Sequence, residues 1–471
     1  MLALGHDQPV ADMLCELFSH QYADTGTWPQ WFMFDGFADI QQHESHGDIV
    51  FWPIKALCDY IEQTADFQLL EKELPYTDPT TFAFTEKRAS LHEHVAKAVE
   101  HIYNSCVEDT ALPCYGDGDW NDSLQPANQT MKTHMVSGWT VGLAYQSLSE
   151  LSKVWKSAGY AAEAERLSAF LVRMFDDFQT HILKDGVAAG FVLFNGKGTT
   201  HMLHPSDQVN GIRYRLLPIN RAIISELFTP EEKDLHLDLV DEHLKFPDGV
   251  RLMDRPPEYT GGKSVHFQRA ETASHFGREI GLQYVHAHIR YCEALAKVGR
   301  ADELLEGLLA ITPVAIQETV PNARPRQANL YFSSSDADVY DRYEAAESMD
   351  KLKQGKVGAL GGWRIYSSGP GIYIGLVINR LFGIRRSYGR VVLDPVLPKS
   401  MDGAELDLDW GGKRVRWIFH VDGATRVAVN GTPVTDFLRE ENPYRQGGIG
   451  IAADRFDALL DQKENTVEIH L

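Results

Sequence analysis

Apolar residues recur every three to four positions over most of the first 385 residues, the spacing of helices that bury one face. In 48–63 the stripe is Ile49, Val50, Trp52, Ile54, Leu57 and Ile61. The same periodicity predicts helices over 7–21, 86–105, 137–157 and 160–182, and shorter ones over 217–227, 231–243, 280–298, 301–311 and 371–382. The segments between them, 22–47, 107–134, 184–216, 246–279 and 321–370, are long and rich in Gly, Pro, Asp and aromatic residues. Long ordered loops on a compact helical body usually carry function. Near residue 386 the period changes to two. Val391–Leu393, Ala404–Leu408, Arg414–Val421, Thr425–Val429 and Thr466–Leu471 read as short strands, with Gly411-Gly412, Asp422-Gly423 and Asn430-Gly431 as turns. The expected architecture is mainly α, residues 1–385, followed by a small antiparallel β module, residues 386–471.

Charge narrows the partners. Across 471 residues, 45 Lys and Arg stand against 66 Asp and Glu, a net charge of −21. A phosphate-covered partner would be repelled, so neither nucleic acid nor an anionic membrane is expected. No apolar run of roughly 18 residues exists to span a bilayer. The N-terminus, Met1-Leu2-Ala3-Leu4-Gly5, lacks the basic start of a secretory leader. The cysteines Cys15, Cys58, Cys106, Cys114 and Cys292 are odd in number, widely spaced and without a CxxC pair. A reducing, cytoplasmic setting with no structural metal fits them.

Four segments carry candidate chemistry. Gly116-Asp117-Gly118-Asp119-Trp120-Asn121-Asp122-Ser123 places three carboxylates beside a tryptophan. Carboxylates so close repel, and a carboxyl kept protonated beside an aromatic is the usual acid of glycosyl transfer. A calcium loop or a plain Asp/Gly turn stays open, although the spacing is not that of an EF-hand. In Arg278-Glu279-Ile280-Gly281-Leu282-Gln283-Tyr284-Val285-His286, the residues Glu279, Gln283 and His286 would share one helical face. That face could hold sugar hydroxyls or an anion, or be solvated and bland. His286 and His288 cannot share a face, which argues against a two-histidine metal site. Gly361-Gly362-Trp363-Arg364-Ile365-Tyr366-Ser367-Ser368-Gly369 runs into an apolar helix and either offers backbone N–H groups to an anion, without the Lys of a P-loop, or is a plain Gly-rich connection with Ser as N-cap. Thr27-Trp28-Pro29-Gln30-Trp31, followed by Asp48, supplies aromatics that would either stack on sugar rings or fill the core. GxSxG, HExxH and GxGxxG are absent.

In this order the four segments resemble glycoside hydrolase family 94, which includes cellobiose, chitobiose and 1,2-β-oligoglucan phosphorylases. The resemblance covers essentially the whole chain but only the C-terminal part of a family member. It implies an (α/α)6-barrel-like helical toroid with a C-terminal β-sandwich. The family's G-D-W-N-D stands at Gly118–Asp122, which makes Asp122 the general acid and Trp120 a sugar contact. The [KR]-E-x-G-x-x-x-x-H stretch assigns Arg278 and Glu279 to the sugar and His286 to phosphate. Ser367, Ser368 and Gly369 look like the phosphate loop, and Asp48 and Trp31 fall in a substrate-binding aromatic–acidic stretch. The runs Thr27–Phe34 and Tyr284–His288 look closest to the 1,2-β-oligoglucan enzymes.

The implied reaction is inverting phosphorolysis of a β-linked gluco-oligosaccharide to α-glucose 1-phosphate. It needs no cofactor, with inorganic phosphate as co-substrate. The sequence departs from the family in lacking the large N-terminal β domain and the opening barrel helices, whose R-D-x-x-Q-D stretch has no counterpart before residue 20. The toroid is therefore expected to be incomplete, and a missing N-terminal half or a homodimer is the expected protein partner. The alternatives are a non-catalytic, partner-dependent sugar-binding fragment, or an inverting glucanase with Asp48 or Asp119 as base.

Overall fold

The computed structural model describes residues 1–37, 40–42, 45–196, 198–259, 261–273, 277, 280–362, 368–461 and 463–471. Its α-helices before residue 383 are α1 (Asp7–Ser19), α2 (Phe51–Thr64), α3 (Leu91–Asn104), α4 (Gln129–His134), α5 (Gly138–Ala158), α6 (Ala161–Asp177), α7 (Leu216–Ile224), α8 (Pro230–Leu239), α9 (Val285–Val298), α10 (Ala301–Ala310), α11 (Ile316–Thr319), α12 (Arg342–Lys353) and α13 (Ser368–Leu376). Among the described residues, α2, α5, α7, α9 and α13 pack in that order as an inner ring. From outside, α1 lies on α2, α6 on α5 and α10 on α9, which gives a toroid of paired helices. One continuous core runs through it, from Phe18 and Ile54 by way of Leu148 and Ile223 to Leu295. The ring is looser at one place: α13 and α2 face each other across a cavity of about 340 Å³. No helix among the described residues is long and apolar enough to cross a membrane.

Most periodic segments become helices, with differences that have local causes. The segment 86–105 begins as the strand Phe84–Ser90, paired with Glu73–Thr77, and turns helical only at Leu91. Ser90 starts the helix through a capping box with Glu93. The segment 280–298 begins as the strand Gln283–Tyr284, paired with Ser334–Ser335, and α9 starts at Val285. Gln283 thus lies in a strand, so the predicted shared helical face with His286 does not form. The helix α12 lies in a stretch expected to be loop; its buried side is thin, with Arg342, Ala345 and Leu352.

Beyond residue 383 the chain forms two sheets. One orders Ile384–Ser387, Arg390–Leu393, Ile449–Ala452 and Leu438–Arg439; the other orders Glu405–Trp410, Lys413–His420, Glu464–His470, Arg426–Val429 and Thr432–Val434. Their pairings are antiparallel except for Lys413–His420 with Glu464–His470, which is parallel. Trp417, Phe419, Val467 and Ile469 fill the space beneath. Ion pairs fix this unit to the toroid, as Arg386 donates to both oxygens of Asp7 at 2.7 and 2.6 Å.

Candidate active site

The loop Gly116–Leu124 sorts its three carboxylates. Asp117 pairs with Lys132. Asp119 is fully buried, ion-paired to the equally buried Arg215 at 3.1 Å. It also accepts from the Ser137 hydroxyl at 2.8 Å and from the Asn121 amide at 2.9 Å. Ser137 is the N-cap of α5 and Arg215 the N-cap of α7, so this carboxylate ties the loop to the N-termini of two inner-ring helices. Asp122 alone of the three lines the neighbouring pocket; its side chain is 41% exposed, with Arg269 3.9 Å away.

That pocket, of about 350 Å³, opens at the N-terminal ends of the inner helices. One wall is aromatic: Trp120 meets Tyr284 edge-on at 4.9 Å and lies 6.4 Å from Trp139, which is 6.1 Å from Trp52. Basic groups line the pocket beside these rings. His286, in the first turn of α9, Arg290 one turn on, and Arg221 of α7 all line it. Burial, reinforced by the nearby Arg290 charge, lowers His286 to about 4, so its ring is neutral. The Tyr331 hydroxyl lies 3.1 Å from His286 Nδ1. With that hydroxyl donating, the ring proton sits on Nε2. Arg221 is lowered to about 10, mainly by burial and next by Arg290, and stays cationic near neutrality. It packs on Gly142, where a Cβ would come within 2.6 Å of its side chain.

Asp48 enters the same pocket from the start of α2. Its Oδ2 accepts from Trp52 Nε1 at 2.9 Å, while Oδ1 is buried without a hydrogen-bond partner among the described residues. Burial, helped by the charges of Asp119 and to a smaller extent Asp122, raises it to about 7. Within the run, Lys132 and Arg215 each pair with one carboxylate, and the raised carboxyl of the pocket is Asp48, outside the cluster, chiefly through its burial.

Of the residues singled out from sequence, Asp48, Trp120, Asp122 and His286 come together. Trp31 does not: it stands 48% exposed on the hairpin Trp31–Gln42, bonded to Gln42, away from the pocket. Trp28 is core, its Nε1 donating to Leu17 O at 2.8 Å. Arg278, Glu279 and Ser367 lie outside the described residues. Ser368 and Gly369 open α13, and Gly369 abuts Tyr331 so closely that a Cβ would fall 2.1 Å from its ring. His288 is a core histidine, 2.8 Å from Gly307 O through Nε2. Arg215, Arg221, Arg290 and Tyr331 had not been anticipated. Arg290 was within reach, since it falls four residues after His286 on a periodic segment; Tyr331 sits in a loop with no periodic signal.

Residues 36–342 match the catalytic domain of the glycosyl hydrolase 94 superfamily, and 383–470 match a glycoside phosphorylase C-terminal domain. The chain belongs to the glycosyl hydrolase 94 superfamily. It is 44% identical over 454 residues to a 1,2-β-oligoglucan phosphorylase of Listeria innocua, covering 95% of this chain and 41% of that protein. An N,N′-diacetylchitobiose phosphorylase of Vibrio proteolyticus is 24% identical over 81% of this chain and 44% of its own length. A cyclic β-(1,2)-glucan synthase of Rhizobium meliloti is 22% identical over 82% of this chain and 13% of its own. The chain therefore spans less than half the length of these relatives.

The raised Asp48 gives a signed pH dependence. The folded state holds this proton up to about pH 7, whereas an exposed aspartate releases it near 3.8. Folding therefore favours the protonated form, and stability is lost as pH rises between the two values. Relative to the parent, Asp48→Asn should gain roughly 2–3 kcal/mol in unfolding free energy between about pH 5 and about pH 8. Urea titrations at the two pH values check this, and parallel pH profiles would contradict it.

Proposed function

We propose that this chain carries out the chemical step of an inverting β-glucan phosphorylase, with 1,2-β-linked gluco-oligosaccharides as the favoured substrates. The observation that carries this reading is Asp122 in a pocket lined by Trp120, Trp139 and Tyr284 that also holds a neutral histidine and two arginines. The 44% identity to the Listeria innocua enzyme supports the linkage.

The geometry lends each group a task. A sugar ring lies against Trp120, with Asp48, held protonated by its burial, as a hydroxyl partner. Asp122 gives its proton to the glycosidic oxygen as the bond from C1 to that oxygen breaks. A phosphate oxygen forms the new bond to C1 from the opposite face, which yields an α-sugar 1-phosphate. Phosphate is already an anionic nucleophile and needs no base; it needs cations and donors set in place beforehand. Arg221, Arg290 and the Nε2–H of His286 are such groups, and the start of α13 at Ser368 and Gly369 adjoins them through Tyr331. Arg278, Glu279 and Ser367 retain the sugar and phosphate roles implied by the family pattern. No cofactor takes part in this scheme.

The protein partner in this reading is a helix from outside these residues, from the remaining half of a longer polypeptide or from a second copy. What supports it is the cavity between α13 and α2, where the inner ring is not closed by helix packing, together with the greater length of the relatives. The five free cysteines suit a cytoplasmic setting. One observation favours a second reading, inverting hydrolysis: Asp48 shares the pocket with Asp122 and could act as base toward water. Asp119 is not available for that role, locked as it is to Arg215.

Phosphate release from α-glucose 1-phosphate, measured with glucose, sophorose, laminaribiose and cellobiose as acceptors, tests the proposal. Release is expected with sophorose, and Asp122→Asn should lower it by at least about 10²-fold, the usual span of a general acid's contribution. Phosphate-independent release of glucose would instead establish the hydrolase. His286→Ala should raise KM for phosphate at least several-fold more than KM for the glucan. An unchanged phosphate KM would place the anion elsewhere.

A further inference from the structure

A second cluster of donor groups lies on the outer face of the C-terminal sheet, far in sequence from the pocket residues. His420 and His470 end the parallel strands Lys413–His420 and Glu464–His470 and are direct register partners. Their rings stack at 4.4 Å with 23° between planes. Side chains alternate along a strand, so Glu468 shares this face one position back. One donor atom from each of His420, Glu468 and His470 lies within 4.8 Å of the other two.

A fourth residue prepares one of the donors. Asp422 Oδ2 is 2.7 Å from His470 Nδ1. The carboxylate is itself fixed, accepting from the Ala424 amide at 3.1 Å and from Arg426 at 3.2 Å. With Nδ1–H given to Asp422, the His470 lone pair is on Nε2, directed away from Asp422. A carboxylate behind the far nitrogen is how metal-binding imidazoles are usually oriented. Arg426 also lies 3.0 Å from Nδ1 and would donate to it in the other tautomer, so the Asp422 carboxylate, at the shorter distance, is what selects Nδ1–H.

We propose that His420, His470 and Glu468 bind a zinc ion, with Asp422 orienting His470, and that the ion pins the last strand to its parallel neighbour. Two imidazoles and one carboxylate form a donor set for zinc and similar borderline ions, whereas calcium and magnesium favour oxygen shells. Tetrahedral zinc wants its ligand atoms roughly 3.4 Å apart, so modest side-chain rotations close the group, with water as fourth ligand. All three residues are at least partly exposed, which leaves room for those rotations and for entry of the ion.

Calorimetric titration of the chelator-treated full chain with zinc chloride tests this. A saturable site of one zinc per chain is expected, with no heat from calcium. Affinity should fall at least tenfold in His420→Ala and in His470→Ala, and roughly tenfold or more in Asp422→Asn, the usual cost of losing an orienting partner. Zinc should raise the Tm of the parent chain and leave that of His470→Ala unmoved. Should an alanine variant lose its native circular dichroism, Glu468→Gln, an exposed and conservative change, gives the same readout. Zinc uptake unaltered by these substitutions, and so due to others among the 19 histidines, or no saturable uptake, would overturn the proposal.

Discussion

The geometry of the pocket depends on one buried ion pair, Asp119 with Arg215, both without solvent exposure. Burying two charges is costly, and Coulomb attraction offsets that cost only when the remaining hydrogen-bonding capacity is met. Here much of it is, through Ser137 and the amide of Asn121 on Asp119, and through Ser137 and Gly190 O on Arg215. Removing one partner of such a pair costs about 3–5 kcal/mol, because the other charge is left stranded. The pair joins three pieces that are distant in sequence: the Gly116–Leu124 loop, the N-terminus of α5 and the N-terminus of α7. With Asp119 turned inward, Trp120 is laid against Tyr284 and Trp139, and Asp122 is left facing the pocket.

The same economy of charge runs through the rest of the site. Asp117 and Asp119 are neutralised by Lys132 and Arg215, so the acidic run does not flood the pocket with negative potential. Asp48, without a cation of its own, is raised instead to about 7 by burial. Burial, with the Arg290 charge next, lowers His286 to about 4 and leaves its ring uncharged near neutrality. Positive charge comes from Arg221 and Arg290; below them Glu293, which burial alone would push up, is drawn down to about 2 by Arg290, Arg380 and Arg221.

Much of this was legible in the sequence. Periodicity located helices such as α2 and α5 because their apolar stripes are wide. It failed at α12, whose buried side is thin, and at Phe84–Ser90, whose partner strand Glu73–Thr77 supplies an order that no local pattern encodes. Asp122, Trp120 and His286 were readable from the chemistry of their neighbours and from the family pattern. Arg215 and Arg221 were not, since a buried arginine on an apolar segment looks like a surface residue until the carboxylate or glycine that receives it is known. For the tryptophans at 28 and 31 the pattern could not choose: an aromatic run does not say which ring fills the core, as Trp28 does, and which faces solvent, as Trp31 does.

The most direct measurement is a crystal structure of the Asp119→Asn chain. The substitution preserves shape and hydrogen-bonding reach but leaves Arg215 without its counter-charge. The expected result is an intact helical ring in which the Gly116–Leu124 loop has moved and Asp122 has left its place on the pocket wall. A loop unchanged, with Asp122 still lining the pocket, would contradict the claim that this pair sets the site.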